Sequence, residues 1–148
     1  MTQMAIDREL QSYAEDDNER ELAVAVGGMQ TQGSAPVDVV VIKDGIAVVG
    51  IELKTVLTNG NDKITMKAAA IERKHEWASR TGASLHTIVF DDRLVFGQDG
   101  RKLPEHRRVY HRPGCGSFRL CNMQEVVGGV DGVASLLEQY GGCRAANA

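Results

Sequence analysis

Two apolar runs rich in β-branched residues, 37–42 (VDVVVI) and 46–55 (IAVVGIELKT), are separated only by Lys43-Asp44-Gly45. Asp-Gly between such runs favours a tight hairpin turn, so the two segments are predicted to pair as antiparallel strands. Neither run alternates cleanly between apolar and polar residues, which marks strands covered on both faces. A sheet of this kind needs layers on either side, and the rest of the chain has to supply them.

The flanking sequence reads that way. Residues 7–26 have helical spacing, with Leu10, Ala14, Leu22, Ala25 and Val26 on a shared face, and Gly27-Gly28 ends the helix. A loop from Thr31 to Pro36 leads into the hairpin. Beyond a polar Asn/Gly loop at 58–62, Thr65 is the expected cap of a helix running from Met66 to about Arg80 and stopped by Gly82, with Met66, Ala69, Ala70 and Trp77 on its buried side. Residues 85–90 (LHTIVF) form a further strand. Residues 91–108 are charged and turn-rich, with a short strand at 94–96. A second hairpin is expected from 107–112 and 117–120 around Pro113-Gly114-Cys115-Gly116, then a helix over 126–140 with a break at Gly128-Gly129, and loose residues from 141 onward. The order helix, strand, strand, helix, strand predicts an α/β fold, a central mixed β-sheet flanked by helices, with a C-terminal hairpin and helix.

The length of 148 residues suits one domain spanning 1–148. With 43% hydrophobic and 25% charged residues a folded core is expected. No stretch approaches the ~18 uninterrupted apolar residues of a membrane span, and the N-terminus lacks the basic start and apolar stretch of a secretory signal. Cys115, Cys121 and Cys143 make neither a C-x-x-C pair nor an even set, which points to reduced thiols in a cytoplasmic setting. A net charge of −3 argues against phosphate binding by the whole surface but leaves room for a local basic patch.

The chemistry lies in the charges that interrupt the two apolar runs. Asp38 opens the first strand, while Glu52 and Lys54 lie two apart near the end of the second and so share a face. The hairpin brings all three to one end of the ladder. Two neighbouring carboxylates disfavour each other unless a divalent cation such as Mg²⁺ or Mn²⁺ joins them, and a lysine beside such a cation suits phosphodiester hydrolysis. The competing reading is a solvated surface pair, which E-x-K on a half-exposed strand usually is; charges set in strands buried on both faces need a partner or a task.

The series Glu19-Arg20-Glu21-Leu22, Gly33-Ser34, Pro36-Val37-Asp38 and Ile51-Glu52-Leu53-Lys54 resembles the PD-(D/E)XK nuclease superfamily, in an arrangement similar to archaeal Holliday-junction resolvases. The resemblance implies an αβββαβ restriction-endonuclease-like core, a metal held by Asp38 and Glu52, catalysis by Asp38, Glu52 and Lys54 with Glu19 from the first helix, and DNA contact by Ser34. It also implies a Lys on the second helix near the centre, for which Lys67 or Lys74 is the candidate. Beyond Thr55 the likeness stops. Residues 61–66, 86–91 and 114–120 resemble instead a phage or prophage domain found beside minor head proteins, which implies phage head proteins as partners and a location in the host cytoplasm or on the virion.

Two basic regions are candidates for DNA contact. Lys63, Lys67 and Lys74 can line one helix face. Arg101, Lys102, His106, Arg107, Arg108, His111, Arg112 and Arg119 are interleaved with Tyr110 and Phe118. A solvated helix face and a charged edge hairpin are the competing readings. His86 and His111 are expected to be structural, and Trp77 to be core. The sequence as a whole predicts a divalent-metal-dependent endodeoxyribonuclease, with a symmetric homodimer if both strands of a duplex are cut. A non-catalytic DNA-binding or head-assembly module is the alternative.

Overall fold

Asp44 and Gly45 both adopt left-handed backbone, at φ 53° and 76°, the signature of a type I′ turn whose twist matches the strands on either side. They join β2 (Val39–Lys43) to β3 (Ile46–Val56) in the antiparallel register Val39 opposite Ile51. The computed structural model that shows this describes residues 3–32, 35–57, 62–93 and 103–142. The short strand expected at 94–96, together with Ser34, Arg101, Lys102 and Cys143, lies outside those residues.

β3 is the spine of the sheet. It is buried along nearly its whole length and pairs in parallel with β5 (Ser84–Asp91) on its other side. β6 (Arg108–Pro113) follows antiparallel to β5, β8 (Gln124–Glu125) extends it, and β1 (Met29–Gln30) closes the opposite edge against β2. The result is a six-stranded mixed sheet in the order β1-β2-β3-β5-β6-β8. The parallel β3–β5 step requires a crossover, and α2 (Ala68–Thr81) provides it.

On one face, α1 (Gln3–Val26) and α3 (Val133–Leu137) cover a core that includes Leu22, Ile51, Leu53, Ile88, Phe90 and Val133. On the other, Trp77 of α2 and Met66, just before the helix, pack on Val37, Leu85 and Cys115. Beside it a separate two-stranded ribbon, β4 (Lys63–Ile64) with β7 (Phe118–Arg119), covers Val56, Val89, Leu120 and Met123. No helix among the described residues is long and apolar enough to cross a membrane.

Four local expectations are corrected. The segment 117–120 does not fold back on 107–112: β6 is drawn into the main sheet by β5, and β7 pairs with β4 across a long sequence separation. Burial of Phe118 with Ile64 outweighs the local turn signal of Pro113-Gly114. Thr65 does not cap α2, because the helix starts at Ala68 with Lys67 in the capping position and no side-chain cap, and Ala69 points to solvent. Residues 129–142 are helical but composite, a 3-10 turn, the short α3 and a π-turn, as a segment with Gly128, Gly129 and Gly132 in it would be. Cys115 and Cys121 are free thiols.

Gly50 shows how closely α2 sits. A Cβ at this position would run into the Trp77 indole, so Gly50→Ala is expected to cost about 1–3 kcal/mol, read as a lower urea midpoint with an unchanged slope; Gly50→Ala with Trp77→Leu should recover part of the loss.

Candidate active site

Where β2 leaves β3, the chain of Pro36 to Asp38 is held from several sides. The Asp38 N–H donates to Ile51 O at 2.9 Å, and Thr31 N–H donates to Asp38 O at 2.9 Å. Thr31 Oγ1 also donates to Val37 O, and Lys74 Nζ to Pro36 O. The Leu53 N–H donates to Asp38 Oδ2 at 2.8 Å. Asp38 is thereby fixed beside Glu52, its lateral neighbour on β3. Glu19 approaches from α1, half-buried.

Glu52 is the centre of the arrangement. It is 7% exposed, with Lys54 Nζ 3.3 Å from Oε1 and Lys74 Nζ 3.1 Å from Oε2. The Lys74 contact lacks hydrogen-bond alignment, so Oε2 is fully buried with an opposite charge nearby but no hydrogen bond among the described residues. Three carboxyls therefore face two ammonium groups. Burial, then the Glu52 charge, pushes Asp38 up to about 8 against the opposing Leu53 N–H. Burial also raises Glu19; the Asp38 carboxyl beside it draws it part of the way back, and Asp16, Glu15 and Glu52 push it up. Such crowding is costly unless a cation joins the carboxylates.

A hard divalent cation fits this donor set. Mg²⁺ and Mn²⁺ take oxygen ligands, and Mg²⁺ is commonly held by one or two carboxylates, waters and substrate phosphate. The orphaned Glu52 Oε2 and the adjacent Asp38 supply such a pair. Among the described residues no three His, Cys, Asp or Glu side chains form a closed cage, so the remaining ligands would come from water and substrate.

The sequence-predicted residues separate into groups. Glu19, Asp38, Glu52 and Lys54 come together. Lys74, named both for the phosphate stripe and, with Lys67, as the second-helix lysine near the centre, takes the second place: it is 7% exposed and bound to Glu52 and Pro36, because it is the position of α2 that is buried, over the carboxylates. Lys63 and Lys67 stay exposed. Arg108 is exposed opposite Asp91, Arg112 lies over the Phe118 ring, and Arg119 is exposed on β7.

Arg107 is corrected outright. Its side chain is 4% exposed, with Nε 2.6 Å from Asp92 Oδ1, Nη1 donating to Glu21 Oε1 at 2.8 Å, Nη2 to Asn18 Oδ1 at 2.9 Å and the Phe90 ring 4.5 Å below. Asn18 Nδ2 in turn donates to Asp92 Oδ2 and Thr55 Oγ1, both at 2.9 Å. Burial would lower the Arg107 pKa, but Asp92 and Glu21 outweigh it and raise it. This network also separates the two helix glutamates: Glu21 serves Arg107, and Glu19 faces Asp38. Sequence reasoning missed Asn18 and Asp92; the signal was a polar residue within a helix face and a second acid after the apolar run Ile88-Val89-Phe90.

His86 and His111 are buried, at 1% and 2% exposure, and share a hydrogen bond of 2.8 Å between Nδ1 and Nε2, with Ser84 Oγ 3.0 Å from the other His86 nitrogen and Tyr140 against both rings. They lie on the α1/α3 face, away from the carboxylates. Burial, then His111, lowers His86 to about 4, and burial lowers His111. A histidine held neutral stabilises the fold above its unfolded pKa of ~6.5, and that contribution is lost as pH falls toward 4. Stability is thus expected to drop by up to about 3 kcal/mol from pH 7 to pH 4 through His86, and His86→Gln should flatten that part of the profile in urea unfolding.

No family model matches the chain, and no curated protein does. Among solved structures it is similar to Hjc of Archaeoglobus fulgidus, a Holliday junction resolvase from an archaeal hyperthermophile, at 16% identity and a TM-score of 0.49, over 82% of this chain and 95% of that one. A likeness this distant assigns no reaction, and the chemistry rests on the side chains.

Proposed function

We propose that this chain is a divalent-metal-dependent endonuclease that hydrolyses DNA phosphodiester bonds, with Asp38 and Glu52 as the metal ligands. The observation that carries the proposal is the buried, hydrogen-bond-deficient Glu52 Oε2 beside Asp38 and within reach of two lysines. A bound Mg²⁺ or Mn²⁺ would supply Lewis acidity toward the phosphate and a more acidic water.

The remaining work falls to the chain. Lys54, the more exposed of the two lysines, is placed to orient the attacking water or to meet the charge that builds on the phosphate oxygens. Lys74 holds Glu52 by charge and the Pro36 carbonyl by hydrogen bond, which fixes the strand carrying Asp38. Glu19 is the fourth member, acting through Asp38 or through a water.

Labelled linear, branched and single-stranded DNA would be incubated with the native chain, Lys54→Ala and Asp38→Ala, in Mg²⁺, Mn²⁺ or EDTA. Cutting that needs the metal and disappears in both variants supports the proposal and ranks the substrates. If no substrate is cut while DNA binding persists in all three proteins, the reading moves to the non-catalytic module.

A further inference from the structure

We propose that the β4–β7 ribbon, together with Arg112, is a phosphate rail that holds the backbone of a nucleic-acid strand to one side of the carboxylate centre. The partner's identity rests on the nuclease reading above; the rail itself rests on the ribbon's geometry.

Lys63 and Arg119 are direct cross-strand partners, both exposed, and among the described residues neither side chain has an acidic partner or a hydrogen bond. Like charges directly opposite each other destabilise a strand pair, and two residues per strand give too little ladder to hold it unaided. The ribbon persists because its other side is anchored. Ile64 and Phe118 pack on Val56, Val89, Leu120 and Met123, and Met66 N–H donates to Ser117 Oγ at 3.0 Å. The anchor keeps two unpaired cations outward, and a polyanion would relieve their repulsion.

Arg112 links the rail to the centre. It stands opposite Thr87, which stands beside Glu52, so Glu52, Thr87 and Arg112 form one lateral row on one face of the sheet. Its guanidinium lies 4.3 Å over the Phe118 ring and makes a single 3.4 Å hydrogen bond, to Asn122 O, which leaves donors free. Val56, beneath the ribbon, is four residues beyond Glu52, roughly 13 Å along the strand. At about 3.4 Å of axial rise per phosphate on one strand, that places the rail about four nucleotides from the scissile bond.

A phosphate backbone is favoured over an acidic peptide because the row ends in the carboxylate pair that, on the nuclease reading, takes up a metal together with a phosphate ester, and because phosphates recur at a short fixed spacing along one strand. Phe118 and Tyr110 are half-buried beneath the surface, so the rail has no platform for bases and reads backbone without sequence preference.

The test is fluorescence anisotropy with labelled 6-, 12- and 24-nucleotide single strands and duplexes in EDTA, across a salt series. Native protein, Lys63→Glu/Arg119→Glu and the conservative Lys63→Arg/Arg119→Lys would be compared, with far-UV circular dichroism to confirm folding. Charge reversal is expected to weaken binding at least about tenfold at low salt and to lower the log–log salt slope by roughly 1.5, while the conservative pair keeps both. Equal affinity and slope in the reversed variant overturn the rail, as does native protein that binds no nucleic acid or is displaced equally well by polyglutamate. Cleavage plays no part in this readout: binding lost by charge reversal in a chain that never cuts supports the rail and defeats the nuclease reading, and cutting by a chain whose binding ignores the reversal does the opposite.

Discussion

Asp38→Asn is expected to reduce metal-dependent cleavage by at least about 10³-fold and, in EDTA, to make the protein more stable than the native chain by on the order of 1 kcal/mol. The two effects have one cause. Asp38 is set among Glu52 and Glu19, largely out of water, and burial followed by the Glu52 charge makes its ionised form unfavourable. Asparagine keeps an oxygen to accept from Leu53 N–H and is neutral without the proton uptake that Asp38, pushed up to about 8, needs on folding without a metal. It also removes half of the proposed metal pair. Glu52→Gln should behave differently: Lys54 and Lys74 would both lose their counter-ion, and Lys74, buried, would be left uncompensated, so this variant loses activity and stability together. Thermal melts in EDTA alongside a cleavage time course separate the cases. A destabilised Asp38→Asn would show that the carboxylate is structural, and the functional reading would lose its physical basis.

The hairpin and the positions of Asp38, Glu52 and Lys54 were legible because each depends on a local rule: an Asp-Gly turn fixes the register, and the register fixes which charges meet. Glu19 was legible only with the help of a family resemblance, since choosing it over Glu21 needs the packing angle of α1. Lys74 was legible as the lysine near the centre only through the resemblance and only as one of two, with Lys67, because α2 carries charge all round and the overlying position of β3 decides which lysine is buried. The ribbon was not legible at all. Lys63 and Arg119 are brought together by burial of Ile64 and Phe118, a non-local event that composition between residues 107 and 120 conceals behind a plausible local hairpin. Arg107 was misread for the same reason: the partner that buries it, Asp92, lies across the chain at the end of β5.

That partner sets the largest stability effect. Arg107→Ala is expected to cost about 3–5 kcal/mol, the range for removing one member of a buried ion pair. Asp92 is fully buried. Without Arg107 it keeps the Asn18 amide but loses the hydrogen bonds of the guanidinium to both of its carboxylate oxygens. The Phe90 ring loses its cation as well. If the cost comes from the stranded charge, replacing both ends should restore much of it: Arg107→Met with Asp92→Asn would be more stable than Arg107→Met alone, because the charge left behind is gone. If it came from lost packing, the second change would add to the damage. Urea unfolding of the two single variants and the double variant distinguishes these outcomes, and a loss below about 1 kcal/mol for Arg107→Ala, the range of an exposed ion pair, would return Arg107 to the surface role that its neighbours in the sequence suggest.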